Sequence, residues 1–241
     1  MTSGILKGAM LEYIVRTLLF DSGFTNAKAD NLFTFERDGL FYINGRGAAH
    51  DADIIMNPPI QMPFTYPTQI IFECKAYNKK IELEIVRNAL GLRNDLNEFE
   101  IITKSFLKKR QKKSRSTLAI DLRSRFLYQV GVASINEFTN SSIEFSTNNK
   151  IPLLSLSWIF SKETIKEINS IDDLALSKID KDDLKNLYDF FKDRNGEISE
   201  GKYIKANKLI AQDGVFNKLH QSILDTIQYS YVGLLETGEI G

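Results

Sequence analysis

The feature that most constrains this chain is a proline-rich stretch between two short apolar runs. Four of the five prolines in the chain lie within this stretch, between residues 58 and 67, where they exclude helix and favour an extended path. The runs on either side, residues 51–55 and 70–75, have the length and apolar character of short strands. We therefore expect the loop to turn the chain back and to bring Asp53 beside Glu73 and Lys75.

The second predicted strand places two charged residues on one face. Side chains alternate along a strand, so Glu73 and Lys75 point to one side while Phe72 and Cys74 point to the other. With Asp53, this gives two carboxylates and one amine at the end of a hairpin. Carboxylates are hard ligands that suit Mg²⁺ or Mn²⁺, and a neighbouring lysine can position or activate water. Charged edge strands are also common without any catalytic role, so the triplet alone is a weak signal.

The residues around the triplet make the signal more specific. The segment Gly45-Arg46-Gly47-Ala48-Ala49-His50-Asp51-Ala52-Asp53, followed by Phe72-Glu73-Cys74-Lys75-Ala76-Tyr77, resembles the signature of Mrr-like restriction endonucleases, a branch of the PD-(D/E)xK nuclease superfamily. Those proteins carry a Gly-Arg-Gly-x-x-His-Gln-x-Asp run before a Glu-Cys-Lys strand. This chain has Asp51 where the family has glutamine. By position in the motif, Asp53 matches the family's metal ligand.

The resemblance covers about residues 1–158. It implies an α/β fold, with a restriction-endonuclease-like core whose mixed central β-sheet is flanked by helices. It also implies that Asp53, Glu73 and the carbonyl of Cys74 hold Mg²⁺, with Mn²⁺ as a substitute. Lys75 would then help to orient the attacking water.

Three other residues near the motif are candidates. In the resembled family a glutamate of the first helix points toward the metal, and Gly8-x-x-Leu11-Glu12 fits that pattern, so Glu12 is a candidate ligand. On helical spacing alone, Glu12 lies at the edge of the apolar arc, which favours a surface glutamate. Arg46 is equally a candidate for a phosphate contact or a strand-end cap. His50 is expected to be structural or a supporting donor rather than a general base.

Hydrophobic spacing predicts the remaining elements. A helix is expected from about residue 3 to 20, with Gly23 as its C-terminal stop. A hairpin is expected around Asp38-Gly39, and a helix that covers the sheet is expected after Lys75. Residues 128–133 and 151–156 read as strands joined by a helix from Asn140, which predicts a parallel crossover unit. Residues 1–160 are predicted to form the nuclease domain. Residues 161–241 are predicted to form a largely helical extension, a candidate start of a further domain.

Charge is balanced overall but unevenly distributed. The chain has 31 basic and 31 acidic residues, yet residues 104–115 carry seven positive charges and no negative one. Most such runs are solvated faces. Beside a phosphodiesterase site, contact with nucleic-acid phosphates explains this run better. The candidate DNA-binding residues are Arg46, Lys108, Lys109, Arg110, Lys112 and Lys113.

Several other classes of protein lack sequence support. One cysteine and two histidines exclude an intramolecular disulfide and nearly exclude a Cys/His zinc cluster. No GxxxxGK[ST] or GxGxxG motif is present, so no nucleotide cofactor is expected, and no GxSxG elbow presents a serine nucleophile. Charged residues interrupt the first apolar stretch, which argues against a signal peptide or membrane span and predicts a cytoplasmic protein.

The sequence thus predicts a metal-dependent endonuclease that hydrolyses DNA, in restriction or anti-phage defence. A homodimer is expected, because one active centre cuts one strand. The alternatives are a junction-directed or RNA-directed nuclease, and a catalytically silent DNA-binding module that keeps the fold. Residues 229–235 read as a strand that enters a turn without a return strand, which predicts that the chain is a fragment of a longer one.

Overall fold

The structure is a computed structural model that describes residues 1–31, 33–37, 40–98, 126–194, 199–212, 217 and 221. The strands within these ranges are β1 (Thr25–Asn26), β2 (Thr34–Arg37), β3 (Leu40–Asn44), β4 (Ala49–Asp51), β5 (Ile54–Asn57), β6 (Thr68–Lys75), β7 (Leu127–Ser134) and β8 (Leu153–Ser155). The helices are α1 (Ser3–Asp21), α2 (Leu83–Asn97), α3 (Asn140–Asn149), α4 (Leu156–Ile159), α5 (Lys162–Asn169), α6 (Asp173–Leu176), α7 (Lys181–Lys192) and α8 (Glu200–Gln212).

The central sheet is mixed, as predicted. Its order is β1–β5–β6–β7–β8, with β5 antiparallel to β6 and β7 parallel to both β6 and β8. Helix α3 joins the parallel strands β7 and β8, and the Thr139 side chain caps its start by accepting a hydrogen bond from the backbone N–H of Ser142. The predicted crossover unit and the α/β class are therefore confirmed.

The apolar residues of the sheet alternate between two hydrophobic clusters. Ile70 and Phe72 of β6 pack in the cluster that contains α1, whereas Ile71 packs in the cluster that contains α2. The sheet therefore separates two helical layers. This alternation puts Cys74 on the α1 side and directs Glu73 and Lys75 to the α2 side, as predicted from the period of two.

The prediction of one strand over residues 51–55 is wrong, because the structure forms two separate strands there, β4 and β5. Strand β4 belongs to a second, antiparallel sheet in the order β2–β3–β4, whereas β5 pairs with β6. Ala52 and Asp53 form the bend between the two sheets. Asp51 and Asp53 therefore do not share one face of a continuous strand. The hairpin predicted between β2 and β3 is present, although residues 38 and 39 at its turn lie outside the described ranges.

The first helix ends as its glycine predicts. Gly23 has a φ of +85°, which is the left-handed region that glycine enters without steric cost. The backbone N–H of Phe24 then donates to the carbonyl of Leu19 at 3.0 Å, which closes the last turn. Phe24 packs back against the core from this turn.

The acidic C-terminal extension is helical where it is described, and it packs on α1. Ile168 of α5 and Leu187 of α7 are fully buried in the same cluster as the first helix. The ring of Tyr13 lies 5.2 Å from that of Phe190 and 5.4 Å from that of Phe191. No helix within the described ranges is long and apolar enough to cross a membrane. The predicted strand over residues 229–235 lies outside those ranges.

Strand β7 contains a glycine that the packing requires. A Cβ on Gly131 would lie 2.7 Å from the Phe72 ring and 2.7 Å from the carbonyl oxygen of Pro152. We expect Gly131→Ala to lower the free energy of unfolding by about 1–3 kcal/mol, because a fixed backbone atom blocks relaxation. Gly8→Ala in α1 is the matched control, since nothing lies within 4 Å of the added methyl group. That change should be neutral or stabilising by up to about 1 kcal/mol. Urea unfolding of both variants measures the difference, and equal stabilities would contradict this packing.

Candidate active site

Asp53 is tied to β6 by its carboxylate. Its Oδ2 accepts a hydrogen bond from the backbone N–H of Cys74 at 2.8 Å. This bond fixes the bend between β4 and β5 against the last residues of β6. The other oxygen, Oδ1, makes no hydrogen bond with the described residues, so it can face a cation or a water.

Glu73 and Lys75 form a partly buried ion pair next to Asp53. Lys75 Nζ donates to Glu73 Oε2 at 3.1 Å, and the two side chains are 27% and 23% exposed, respectively. The hairpin therefore brings together the three residues that the sequence singled out. The long proline-rich loop that makes this possible is closed by Gln61, whose amide accepts from the Thr68 N–H and donates to its carbonyl.

Asp53, Glu73 and Lys75 form a charged cluster, and the pKa values of Glu73 and Lys75 depend on the neighbouring charges. Burial raises the pKa of Glu73, and the negative charges of Asp53 and then Asp51 raise it further, against the lowering effect of Lys75. Burial lowers the pKa of Lys75, but Glu73 and Asp53 more than offset this and leave the pKa above its ordinary value. Lys75 therefore stays protonated at neutral pH and serves as a charged donor rather than as a base.

Glu73 and Lys75 open on a cleft of about 410 Å³ between the strands and α2. Asp53 lines a separate, much smaller cavity with Arg16 and Arg194. Asp51, Glu73 and Lys75 lie on the strand side of the cleft, and Arg87 and Asn88 lie on the helix side. This volume is many times the roughly 30 Å³ that one water occupies in the liquid. The cleft can therefore admit a substrate group as well as solvent to Glu73 and Lys75.

His50 is held by α2 at one end of the cleft. Its Nε2 lies 2.7 Å from Asp95 Oδ2, and the backbone N–H of Arg46 donates to the same oxygen at 3.1 Å. A Cβ on Gly45 would lie 2.0 Å from that oxygen, so only glycine permits this approach. The arrangement agrees with the supporting role expected for His50. The Arg46 side chain is exposed and lies 3.3 Å from Glu98.

Glu12 is buried, so the surface position that helical spacing favoured is wrong. Its side chain is 8% exposed, and both carboxylate oxygens accept from Lys192 Nζ, at 2.9 and 2.7 Å. The reason is tertiary, because α7 packs over this side of α1. Burial raises the pKa of Glu12, with Lys192 opposing and the nearby charge of Asp53 adding to the rise. Glu12 therefore lies close to the cluster, but the role of metal ligand stays a prediction.

Sequence reasoning missed the residues that support the cluster from the C-terminal helices. Arg194 donates to the backbone carbonyls of Ala52 and Asp53, and Lys192 pairs with Glu12. These partners are separated by roughly 140 to 180 positions, and no local pattern connects them. Asp95, the partner of His50, was missed for the same reason. The predicted DNA-binding residues Lys108, Lys109, Arg110, Lys112 and Lys113 lie outside the described ranges.

The residues present fit a Mg²⁺ ion of the kind that is bound by few protein ligands. No group of three or more His, Cys, Asp or Glu side chains within the described ranges could hold a metal ion. Mg²⁺, however, commonly uses one or two carboxylates and completes its shell with waters and substrate phosphates. Asp53 and Glu73 supply two, and the pKa of Glu73 is raised first by burial and then by the charge of Asp53, both of which a bound cation would offset.

Comparison with known proteins does not assign a function to this site. No family model and no curated protein matches the chain. A crystal structure of AF1548, a protein of unknown function, aligns over 92% of this chain and 99% of that chain, with 14% sequence identity and a TM-score of 0.44. A likeness of this degree carries no argument, so the site has to be judged on its own chemistry.

The raised pKa of Glu73 predicts that this residue lowers stability at neutral pH. A carboxyl group whose pKa is higher when folded holds its proton more tightly in the folded state. Its contribution to the free energy of unfolding therefore falls as the pH rises from its unfolded pKa through its folded pKa. We expect Glu73→Gln, which cannot titrate, to melt at a higher temperature than the wild type at about pH 7, and the gain to shrink near pH 4.

Thermal unfolding across this pH range, without divalent metal, measures the effect. The control is Glu144→Gln, which changes an exposed glutamate on α3. A gain for Glu73→Gln that does not vary with pH, or that the control reproduces, would contradict the electrostatic account.

Proposed function

We propose that this protein is a metal-dependent endonuclease of the Mrr-like, restriction-endonuclease-like type that hydrolyses DNA phosphodiester bonds. One observation carries the proposal. Asp53, in the bend before β5, is bonded to the end of β6, where Glu73 and a charged Lys75 form an ion pair and line an open cleft. Two carboxylates and an ammonium group at one place are the parts that metal-assisted phosphodiester hydrolysis needs.

Each residue has a distinct task in this proposal. Asp53 and Glu73 would hold Mg²⁺, with the Cys74 carbonyl as an additional ligand, and the ion would polarise the phosphoryl oxygen and acidify its bound water. Lys75 Nζ, already held by Glu73, orients the attacking water and stabilises the negative charge that develops on the phosphoryl oxygens. The bond from the Cys74 amide keeps Asp53 oriented without neutralising it.

A catalytically silent module is less favoured by the same electrostatics. Burying Glu73 close to Asp53 opposes its ionisation, and a purely structural strand end has no use for that arrangement. A junction-directed or RNA-directed nuclease would use the same core. We propose DNA as the substrate because the basic run at residues 104–115 suits a charged backbone, and a homodimer because one centre cuts one strand. A restriction or defence role follows from the family resemblance alone, and a cytoplasmic location is proposed because charged residues interrupt the first apolar stretch.

The first test is cleavage of plasmid DNA by the wild type and by two matched variants. We expect Mg²⁺-dependent or Mn²⁺-dependent nicking that EDTA abolishes. Asp53→Asn should lower the cleavage rate by orders of magnitude, because a charged ligand becomes a neutral amide that can still accept from the Cys74 N–H. DNA binding and the melting temperature should be retained.

Asp51→Asn is the control. It removes the same charge from a residue two positions before Asp53, and the Asp51 side chain lines the cleft. It should reduce the rate less than Asp53→Asn does. Cleavage that persists in chelator would remove the metal from the proposal. Full activity in Asp53→Asn would remove the assigned site, and a larger loss in Asp51→Asn would transfer the ligand role to that residue.

The second test concerns the basic run. Replacing Lys108, Lys109, Arg110, Lys112 and Lys113 with glutamine should weaken DNA binding and flatten its dependence on salt. Each lost phosphate contact should reduce the log–log slope by about 0.9 for duplex DNA. Binding titrations from low to moderate salt measure that slope, with Lys162, Lys166, Lys178, Lys181 and Lys185 replaced in a control of equal charge change. Equal slopes for both variants would show that the basic run at residues 104–115 does not contact DNA phosphates.

A further inference from the structure

The segment that follows α7 reaches the bend that carries Asp53. The guanidinium group of Arg194 donates through Nη2 to the carbonyl of Ala52 and, at 2.9 Å, to the carbonyl of Asp53. These two carbonyls lie where the chain leaves one sheet and enters the other. Arg194 therefore supplies donors at a place where the strand ladders of the two sheets are interrupted.

Arg194 is itself held from several directions. Its guanidinium lies over the ring of Phe41, 5.8 Å from the centroid, and its backbone carbonyl accepts from the Asn26 side chain. Phe41 belongs to β3 and Asn26 to β1, so one arginine contacts both sheets. A side chain restrained in this way can hold the bend in one position.

The last residues of α7, directly before this segment, are anchored on α1. Lys192 pairs with Glu12, and the carbonyl of Phe191 accepts from Arg16 at 2.6 Å. The four residues 191–194 thus connect the C-terminal helices to the first helix and to the Asp53 bend. The proposed nuclease core, drawn as residues 1–160, does not include any of them.

We propose that Arg194 is a positioning residue for Asp53, and that residues 191–194 make the C-terminal helices part of the candidate active site. Arg194 acts on the backbone of Asp53, which in turn sets the carboxylate against the Cys74 amide. Without Arg194, two partly buried carbonyls lose their donor, and the bend can relax away from β6. The consequence for cleavage rests on the proposed function, but the geometric claim does not.

The chain offers a direct reporter of this geometry. Cys74 is its only cysteine, so labelling with ¹⁵N-cysteine gives a single backbone amide resonance. That amide donates to Asp53 Oδ2, so its chemical shift and its hydrogen exchange report whether the carboxylate is in place. The measurement needs neither metal nor substrate.

The decisive comparison is between Arg194→Ala and Arg93→Ala. Arg93 also donates to two backbone carbonyls, those of Asn149 and Lys150, but it does so at the end of α3. The control therefore removes the same type of contact away from the bend. We expect Arg194→Ala to move the Cys74 amide resonance upfield and to accelerate its exchange by at least about tenfold, as loss of one buried hydrogen bond implies. Arg93→Ala should leave both unchanged.

An unchanged Cys74 resonance and exchange rate in Arg194→Ala would overturn the proposal. If that variant does not fold, Arg194→Met decides, because it keeps a long unbranched side chain but has no N–H to donate to the two carbonyls. A shift in the same direction supports the positioning role, and a wild-type resonance in a folded Arg194→Met protein overturns it.

Metal and cleavage measurements separate this inference from the proposed function. If the wild-type protein neither binds Mn²⁺ nor cleaves DNA, the proposed nuclease function is refuted. The Cys74 amide resonance still tests the positioning role of Arg194 in that case. In an active protein, Arg194→Ala should lower kcat at least about tenfold and leave KM for DNA within about twofold, because Arg194 acts through the backbone of the Asp53 bend. A change confined to KM would contradict the positioning role.

Discussion

The structure depends on strand β6, which is paired on both sides and buried on both faces over its central residues 69–72. Its antiparallel neighbour β5 and its parallel neighbour β7 use its backbone groups, and helical layers cover its apolar side chains. Burial of this kind fixes register strongly, because a slip of one residue would exchange the two faces. Glu73 and Lys75 lie at the end of that strand, directly after its buried residues, so the core determines where their side chains point.

The same construction explains the unfavourable electrostatics of the cluster. A charged group at the end of a buried strand keeps only part of its hydration, and Glu73 also lies close to the charge of Asp53. The ion pair with Lys75 offsets part of this cost but does not remove it. Sites that hold cations commonly have this character, because the ligand charges are brought together before the ion is present.

The C-terminal helices have a closer relation to the cluster than a separate domain would have. Their apolar faces share a core with α1, and residues 191–194 contact Glu12, Arg16 and the two backbone carbonyls of the Asp53 bend. In the proposed positioning role of Arg194, the placement of α7 therefore bears on the position of Asp53. The physical link is a short set of hydrogen bonds and one ion pair.

The sequence by itself determined the elements with a local cause. It specified α1 with its glycine stop, the proline-rich turn, the alternation that puts Glu73 and Lys75 on one face, and the crossover unit of β7, α3 and β8. The tertiary structure alone decided that the strand before Asp53 breaks between two sheets, that Glu12 is buried under Lys192, and that Asp95 holds His50. It also decided that Arg194 reaches the Asp53 bend. The physical reason is that periodicity and turn chemistry act over a few residues, whereas these contacts join residues 45 to 180 positions apart. Such contacts form only when whole faces of helices and sheets are buried against one another.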